Sequence, residues 1–472
     1  MEDKIREECG ILGIYSPVKS ELAPAVYYGL YALQHRGQEG CGMVVNNGGE
    51  FKTYKDSGLV NEVFTKDVIR DFGVGNMALG HVRYGTSDSK ERINSQPMVI
   101  NHLKGKLAIA HNGSIVNSAD LRSELEMNGS IFHTTSDAEV ISYVIIKERM
   151  TSETIEEAID RAMSKIKGAY SLVIMTPSKM IALRDENGFR PLCYGQREDG
   201  SYVIASESCA LDSIGAKFIR DIEPGEIVTF SHNGIKSITS HCGKQKEAFC
   251  VFEYIYFSRP DSVVEGCSVH AARVRAGELL ATAHPVEADV VIGVPDSGLD
   301  AAVGYSRASG IPYGIGLIKN KYIGRTFIDP GQSVREDKVR IKLNPVAETL
   351  RGKRVVMVDD SIVRGTTCAR IVKLIRNAGA KEVHMRVSSP PFLNPCYYGT
   401  DVDSKERLIA NNHTIDEIRD IIGVDSLGYL GIDDAKVIAD KSHCKGFCTA
   451  CFDGEYPGGV PSATLKKDNL DS

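Results

Sequence analysis

No apolar stretch in these 472 residues approaches the roughly 20 that a helix needs to cross a bilayer, so a chain that spans membranes by helices is not expected. Residues 1–8 are mostly charged and have no hydrophobic core, and no secretory leader is read there. Positive charge is also short: 56 Lys and Arg against 62 Asp and Glu leave a net charge of −6, with no basic footprint for nucleic acid or an anionic membrane. Neither is expected as a partner. Internal repeats and low-complexity tracts are missing too. The expected compartment is the cytoplasm, where twelve cysteines in a large chain point to reactive thiols or metal ligation more than to a disulfide framework.

What is present is ordinary globular material: 42% hydrophobic and 25% charged residues, enough for full cores. The length exceeds the size at which a single core stops growing, so about two to three domains are expected. From Cys9 to about Gly243, short β-type runs such as 77–80, 107–110, 172–175 and 202–205 alternate with amphipathic helices over 136–150 and 154–167. That mixture predicts a layered α/β domain on antiparallel sheets. The polar segment 241–247 marks the boundary, which gives a prefix 1–8, a first domain 9–243 and a second domain 244–472. Beyond residue 288 the pattern turns to strand, loop, helix: a strand over 290–294, a turn at Pro295-Asp296-Ser297-Gly298, a helix through Arg307 and a strand over 313–318. This is the grammar of a parallel, helix-flanked sheet.

The most informative window is Val355-Val356-Met357-Val358-Asp359-Asp360-Ser361-Ile362-Val363-Arg364-Gly365-Thr366-Thr367. Four apolar residues read as a buried parallel strand, and Ile371, Leu374, Ile375 and Ala378 follow at helical spacing before Gly379. Ligands of open α/β sheets sit outside the carboxyl ends of the strands. A turn with hydroxyls, a glycine and free N–H groups at a helix start can therefore cradle a phosphate, with the aspartates facing a sugar and a metal. The alternative is a solvated βα loop.

Cys9-Gly10-Ile11-Leu12-Gly13-Ile14 is the second informative window. The charged prefix before it looks removable, and the α-amine so exposed could serve as general base for the Cys9 thiol; the alternative is a buried structural cysteine. His81-Val82-Arg83-Tyr84-Gly85-Thr86-Ser87 offers a guanidinium able to grip a carboxylate. His111-Asn112-Gly113 offers an amide side chain and a glycine N–H suited to an oxyanion. Ser136-Asp137 opens a helix, where Asp137 is either a ligand for charge or a local cap.

These windows, with Gln34-His35-Arg36-Gly37-Gln38-Glu39 and Phe252-Glu253-Tyr254-Ile255-Tyr256-Phe257-Ser258-Arg259-Pro260-Asp261-Ser262, resemble the glutamine phosphoribosylpyrophosphate amidotransferases along nearly the whole chain. The resemblance implies an N-terminal nucleophile hydrolase domain of αββα layers joined to a type I phosphoribosyltransferase domain with a mostly parallel sheet. It implies the first committed step of purine nucleotide synthesis: ammonia from glutamine displaces pyrophosphate from phosphoribosylpyrophosphate and gives phosphoribosylamine. Cys9 would be the nucleophile, Asn112 and Gly113 the oxyanion donors, and Arg83, Thr86 and Asp137 the glutamine-binding residues. Phosphoribosylpyrophosphate would contact Asp296, Ser297, Lys319, Lys321, Arg325, Asp359, Asp360, Ser361, Arg364, Gly365, Thr366 and Thr367, with the loop 319–327 closing over it. Ser297, Asp359 and Asp360 would surround Mg²⁺, and a closed passage would carry ammonia between the sites.

The resemblance also implies a [4Fe–4S] cluster on Cys250, Cys396, Cys448 and Cys451, with structural zinc as the alternative and His443 and Cys444 as nearby competitors set aside by motif match. Its distance in sequence from the catalytic windows favours a structural or oxygen-sensing role. A homotetramer inhibited by purine nucleotides is implied as well. Two other readings stay open. One is a regulator that only senses phosphoribosylpyrophosphate, disfavoured by the intact Cys9 windows. The other is a different glutamine-dependent enzyme, disfavoured by the phosphate loop.

Overall fold

A computed structural model describes residues 9–84, 92–320, 343–400, 402 and 404–462. Thr86, Lys321, Arg325, the prefix 1–8 and most of the loop 319–327 lie outside the described residues. Among the described residues no helix is long and apolar enough to cross a membrane.

In the first half, side chains alternate across each strand, so each sheet must bury one face against a second sheet and the other against helices. One antiparallel sheet runs, edge to edge, through Lys217–Asp221, Cys193–Gln196, Tyr202–Ala205, Gly10–Ser20, Gly75–Arg83, Gly40–Asn47 and Glu50–Ser57. The other runs through Gly234–Ile238, Ile227–Ser231, Met180–Arg184, Gly168–Met175, Gly105–Ile115 and Met98–His102. Ile11, Tyr15, Leu79, Ala108, Ala110 and Val173 pack between the sheets. Leu12 and Ile14 point the other way, toward the helix Ala23–Ala32, while Ile109 and Leu172 face the helices Asp137–Thr151 and Ile155–Met163. The result is four layers, helix, sheet, sheet, helix. The last of these helices is shorter than the expected 154–167, because Ser164 caps it and the next strand opens at Gly168.

The second half carries a parallel sheet ordered Val290–Gly293, Arg354–Asp359, Glu382–Val387 and Ser426–Tyr429. Both of its faces are covered, which is why 355–358 is apolar throughout. Val291, Val356 and Val358 face a core shared with the helices Val269–Ala283 and Gly298–Ser309; Ile292, Val355 and Met357 face Thr366–Asn377 and Ile415–Ile422. The first pair of helices meets backbone to backbone: a Cβ on Gly277 would lie 1.8 Å from the Ala301 carbonyl oxygen, and one on Gly304 1.8 Å from that of Val274. The strand expected over 313–318 is reduced to one bridge between Val291 and Tyr313 and a short strand, Leu317–Lys319. Gly314 and Gly316 interrupt it, and glycine weakens a strand by leaving nothing to pack.

Candidate active site

Strand register brings the first set of predicted residues together. Gly10 pairs with Val82 and Ile11 with His81, which sets Cys9 level with Arg83. Counting in steps of two from Ile11, Leu79 and Ala110, all packed between the sheets, places Cys9, Arg83 and Asn112 on the inner faces at one end of the sandwich. A bond across the sheets, His81 Nε2 to the His111 carbonyl oxygen at 3.1 Å, ties that end closed. Burial pushes the His81 imidazole down to about 3, so it is neutral at physiological pH.

Asn112 is 1% exposed, yet its Nδ2 has no hydrogen-bond partner among the described residues. An unpaired buried donor costs about 1–3 kcal/mol, which makes it a group prepared for a ligand. Gly113 follows with φ of +131°, and a Cβ there would sit 2.3 Å from the Ala169 carbonyl oxygen, so only glycine fits beside this donor. The Asp137 carboxylate accepts from Ile115 N at 3.0 Å, Ser114 Oγ at 3.3 Å and Ser118 Oγ at 2.6 Å, bracing the end of the strand that carries Asn112. The cap of its helix is instead Ser136, whose Oγ accepts from Ala138 N at 3.3 Å.

Arg36 closes the Cys9 side: its Nε donates to the Cys9 carbonyl oxygen at 3.1 Å, and its other nitrogens reach Glu207 at 2.7 Å and Glu253 at 2.7 and 2.9 Å. Burial alone would raise the Glu207 carboxyl; the His35 imidazole and the Arg36 guanidinium override it and hold Glu207 well below the usual carboxylate range. Glu207 also accepts from Arg259 N at 2.9 Å and Ser262 Oγ at 2.7 Å. The windows around residues 36 and 253–262, far apart in sequence, are therefore one contact.

At the second set, the strand Arg354–Asp359 delivers Asp359 and Asp360, both nearly buried, to the carboxyl edge of the parallel sheet. Asp360 N donates to Asp359 Oδ1 at 2.9 Å, and Ser361 Oγ to Asp360 Oδ1 at 3.3 Å. Gly365, with φ of +84°, turns the chain into the helix Thr366–Asn377. Thr366 and Thr367 thus occupy the first helical turn rather than the preceding loop. Arg364 and Gly365 stand immediately before the N-terminal turn of a twelve-residue helix, whose positive dipole end is suited to an anion. Ser297 stands just before the helix Gly298–Ser309, and a Cβ on Gly298 would lie 2.4 Å from the Val358 carbonyl oxygen, so the two helix starts converge on one strand end. Asp296 forms an ion pair with Lys319, both exposed. Mg²⁺ commonly takes one or two carboxylates and completes its shell with water and substrate phosphates. Asp359 and Asp360 fit that demand without a third protein ligand.

Cys250, Cys396, Cys448 and Cys451 line one cavity with Phe189, Phe252 and Phe392. Cys250 and Cys448 sit opposite each other in a short parallel ladder, and the Cys451 carbonyl accepts from Leu393 N at 3.0 Å and Asn394 N at 3.1 Å. Among the described residues no three His, Cys, Asp or Glu side chains gather tightly enough to hold a single metal ion. Four thiols lining one cavity are a donor set that a [4Fe–4S] cluster takes, and one that zinc also takes. His443 and Cys444 lie elsewhere, against Gly266 and near Glu265. Sequence distance misled in one respect. The loop that follows Cys396 abuts the first site: a Cβ on Gly399 would lie 3.2 Å from Gly113 Cα, and Arg190 donates to the Tyr398 carbonyl at 2.7 Å and Thr400 Oγ1 at 3.2 Å. Arg190, Glu207 and Arg273 were missed from the sequence, because nothing in a linear pattern separates a buried charge from a solvated one; the approach of Gly399 to Gly113 shows only in the fold.

Comparison with known proteins agrees with this architecture. A glutamine amidotransferase domain family matches residues 81–213, and a phosphoribosyl transferase domain family matches residues 271–417. The amidophosphoribosyltransferase of Methanocaldococcus jannaschii is 49% identical over 467 residues, covering 96% of this chain and 98% of that protein. Its Bacillus subtilis counterpart is 48% identical, covering 98% and 96%. Among solved structures, one described as the allosteric regulatory enzyme of purine biosynthesis superposes with a TM-score of 0.89 at 47% identity, covering 97% of this chain and all of that one. Glutamine phosphoribosylpyrophosphate amidotransferase from B. subtilis, in complex with ADP and GMP, superposes equally well at 46% identity, covering 97% and 99%. This chain belongs to the amidophosphoribosyltransferase family.

Proposed function

We propose that this chain transfers the amide nitrogen of glutamine to phosphoribosylpyrophosphate, giving phosphoribosylamine, glutamate and pyrophosphate at the entry to purine synthesis. The observation that carries the reading is that one chain of this family holds both site geometries: Cys9, Arg83 and Asn112 on the inner faces at one end of the sandwich, and Asp359 and Asp360 at a strand end before the helix Thr366–Asn377.

Cys9, the mature first residue once 1–8 are removed, attacks the glutamine carboxamide carbon, with its own α-amine taking the thiol proton. Asn112 Nδ2 and the Gly113 N–H bind the oxyanion. Arg83 and Asp137, with Thr86 outside the described residues, hold the α-carboxylate and α-ammonium. The α-amine then returns that proton to the amide nitrogen, so collapse of the tetrahedral adduct expels ammonia and leaves a thioester, which water opens to glutamate. Ammonia must cross to the second site unprotonated, and the contact between the halves is suitably dry: Arg36, Glu253, Tyr254 and Phe257 are all buried. There Ser361, Arg364, Gly365, Thr366 and Thr367 grip the 5-phosphate, while Asp296, Ser297 and Lys319 flank the pyrophosphate. Lys321 and Arg325, also outside the described residues, would add positive charge over the leaving group. Mg²⁺, held by Asp359 and Asp360 with Ser297 beside them, would supply charge neutralisation to the departing pyrophosphate. The four cysteines would hold a [4Fe–4S] cluster that braces the loop 396–400. Purine nucleotides are the proposed inhibitors, in keeping with the ADP and GMP bound to the B. subtilis relative. A homotetramer is the assembly that the family likeness implies. The cytoplasm is the proposed compartment, since twelve cysteines scattered through a large chain suit reactive thiols or metal ligation more than a disulfide framework.

The test is glutamine turnover with and without phosphoribosylpyrophosphate. Glutamate and pyrophosphate should appear in equal amounts when both substrates are present. Binding of phosphoribosylpyrophosphate without release of either product would end the proposal. Intact mass should place Cys9 first in the active enzyme.

A further inference from the structure

A balanced set of four buried charges lies where the halves of the chain meet. Arg36 and Glu253 pair with side chains wholly removed from water, Glu207 shares the same guanidinium, and Arg190 Nη1 stands 3.6 Å from Glu253 Oε1. Glu253 is the member contributed by the second half. It opens a π-helix, Glu253–Phe257, closed by a bond from Ser258 N to the Glu253 carbonyl at 3.0 Å. Turns of that kind are rare and concentrate at functional positions. Arg273, on the helix Val269–Ala283, fixes this turn by donating to the carbonyls of Tyr254, Tyr256 and Ser258 at 2.8, 2.9 and 2.7 Å.

A buried ion pair is weak as a source of stability, since a well-packed apolar pair often serves as well. It is strong as a means of orientation. Two carboxylates approach the Arg36 guanidinium at its Nη atoms, which leaves Nε aimed at the Cys9 carbonyl oxygen at 3.1 Å. Glu207 meets the guanidinium at Nη1, whereas Glu253 grips both Nη1 and Nη2 and so fixes the plane of the group.

We propose that Glu253 is a positioning residue through which the second half of the chain, by orienting Arg36, sets the backbone of Cys9 and so controls glutamine turnover. The proposal rests on Cys9 being the glutaminase nucleophile. Glu253 touches neither substrate in this scheme. Its loss should therefore act on kcat for glutamine, leaving the glutamine KM and the reaction of external ammonia in place.

Glu253→Gln keeps the size and removes the charge. In the full-length enzyme, glutamine-dependent kcat should fall about 10- to 100-fold, the scale of a displacement near 1 Å in a reacting group. The glutamine KM and the ammonia-dependent rate should stay within about twofold of the parent. Arg36→Lys, which keeps a cation for both carboxylates but has no Nε, should show the same split. Equal losses of the glutamine- and ammonia-dependent reactions, or an unchanged glutamine kcat, would overturn the proposal. So would an Arg36→Lys enzyme with both activities intact, even if Glu253→Gln failed to fold. A parent enzyme that does not hydrolyse glutamine would instead refute the functional reading itself.

Discussion

Replacing Asn112 with alanine separates a group kept for catalysis from one kept for stability. Its Nδ2 is buried without a partner among the described residues, so the folded protein carries a desolvation cost of about 1–3 kcal/mol that alanine removes. Alanine also vacates the volume of the amide, a loss of similar size and opposite sign for a polar side chain of this length. The net change in folding free energy should fall within about 1.5 kcal/mol of zero. Catalysis should respond far more: loss of one oxyanion donor costs about 2.7–4 kcal/mol, or about 10²–10³ in kcat. KM for glutamine should hold, because the groups proposed to bind its charged end are untouched. The assay is glutamate release under saturating phosphoribosylpyrophosphate, beside the ammonia-dependent reaction as control and urea unfolding as the stability measure. A variant that loses several kcal/mol of stability while glutaminase kcat stays within about threefold would mean that the amide is a structural bond donor and the oxyanion assignment is wrong.

Asp360→Asn should abolish pyrophosphate release from either nitrogen source by about 10²-fold or more while leaving Cys9 able to react with a glutamine analogue; retained ammonia-dependent turnover would remove Asp360 from the metal site. Cys448→Ser should yield protein without iron or visible absorption, whereas a colourless parent with stoichiometric zinc would decide for the alternative metal. His81 gives a pH test with a defined sign. Its folded pKa, about 3, lies below the unfolded value, so the unfolded chain takes up the proton first and stability present above pH 6.5 is lost as pH falls toward 3. Between pH 6.5 and 5 the parent should lose about 2 kcal/mol more than His81→Asn, read from urea unfolding; parallel profiles would show that the imidazole titrates in the folded state.

Much of this was legible in the sequence because the chemistry sits at strand ends. The windows 81–84, 111–113 and 355–367 each announce a strand by composition and then break it with residues that no core would select. Register did the rest, since the two-residue period puts Cys9, Arg83 and Asn112 on one side once the strands pair. What stayed hidden depends on burial. Arg36, Arg190, Glu207, Glu253 and Arg273 look like surface residues in a list of letters, and only packing shows that they are enclosed and matched in charge. Gly399 gives no signal before the fold sets it on Gly113. Asp137 was correctly placed at a helix start, but one position too far to be the cap, which Ser136 supplies.

The helices Val269–Ala283 and Gly298–Ser309 leave no room for a methyl group at Gly277 or Gly304. Mutational libraries at these two positions should return a single surviving residue, however permissive the selection. A shift in the turn before Gly298 must also reach Arg273 as a displacement of the whole pair, because neither cylinder can slide past the other without collision.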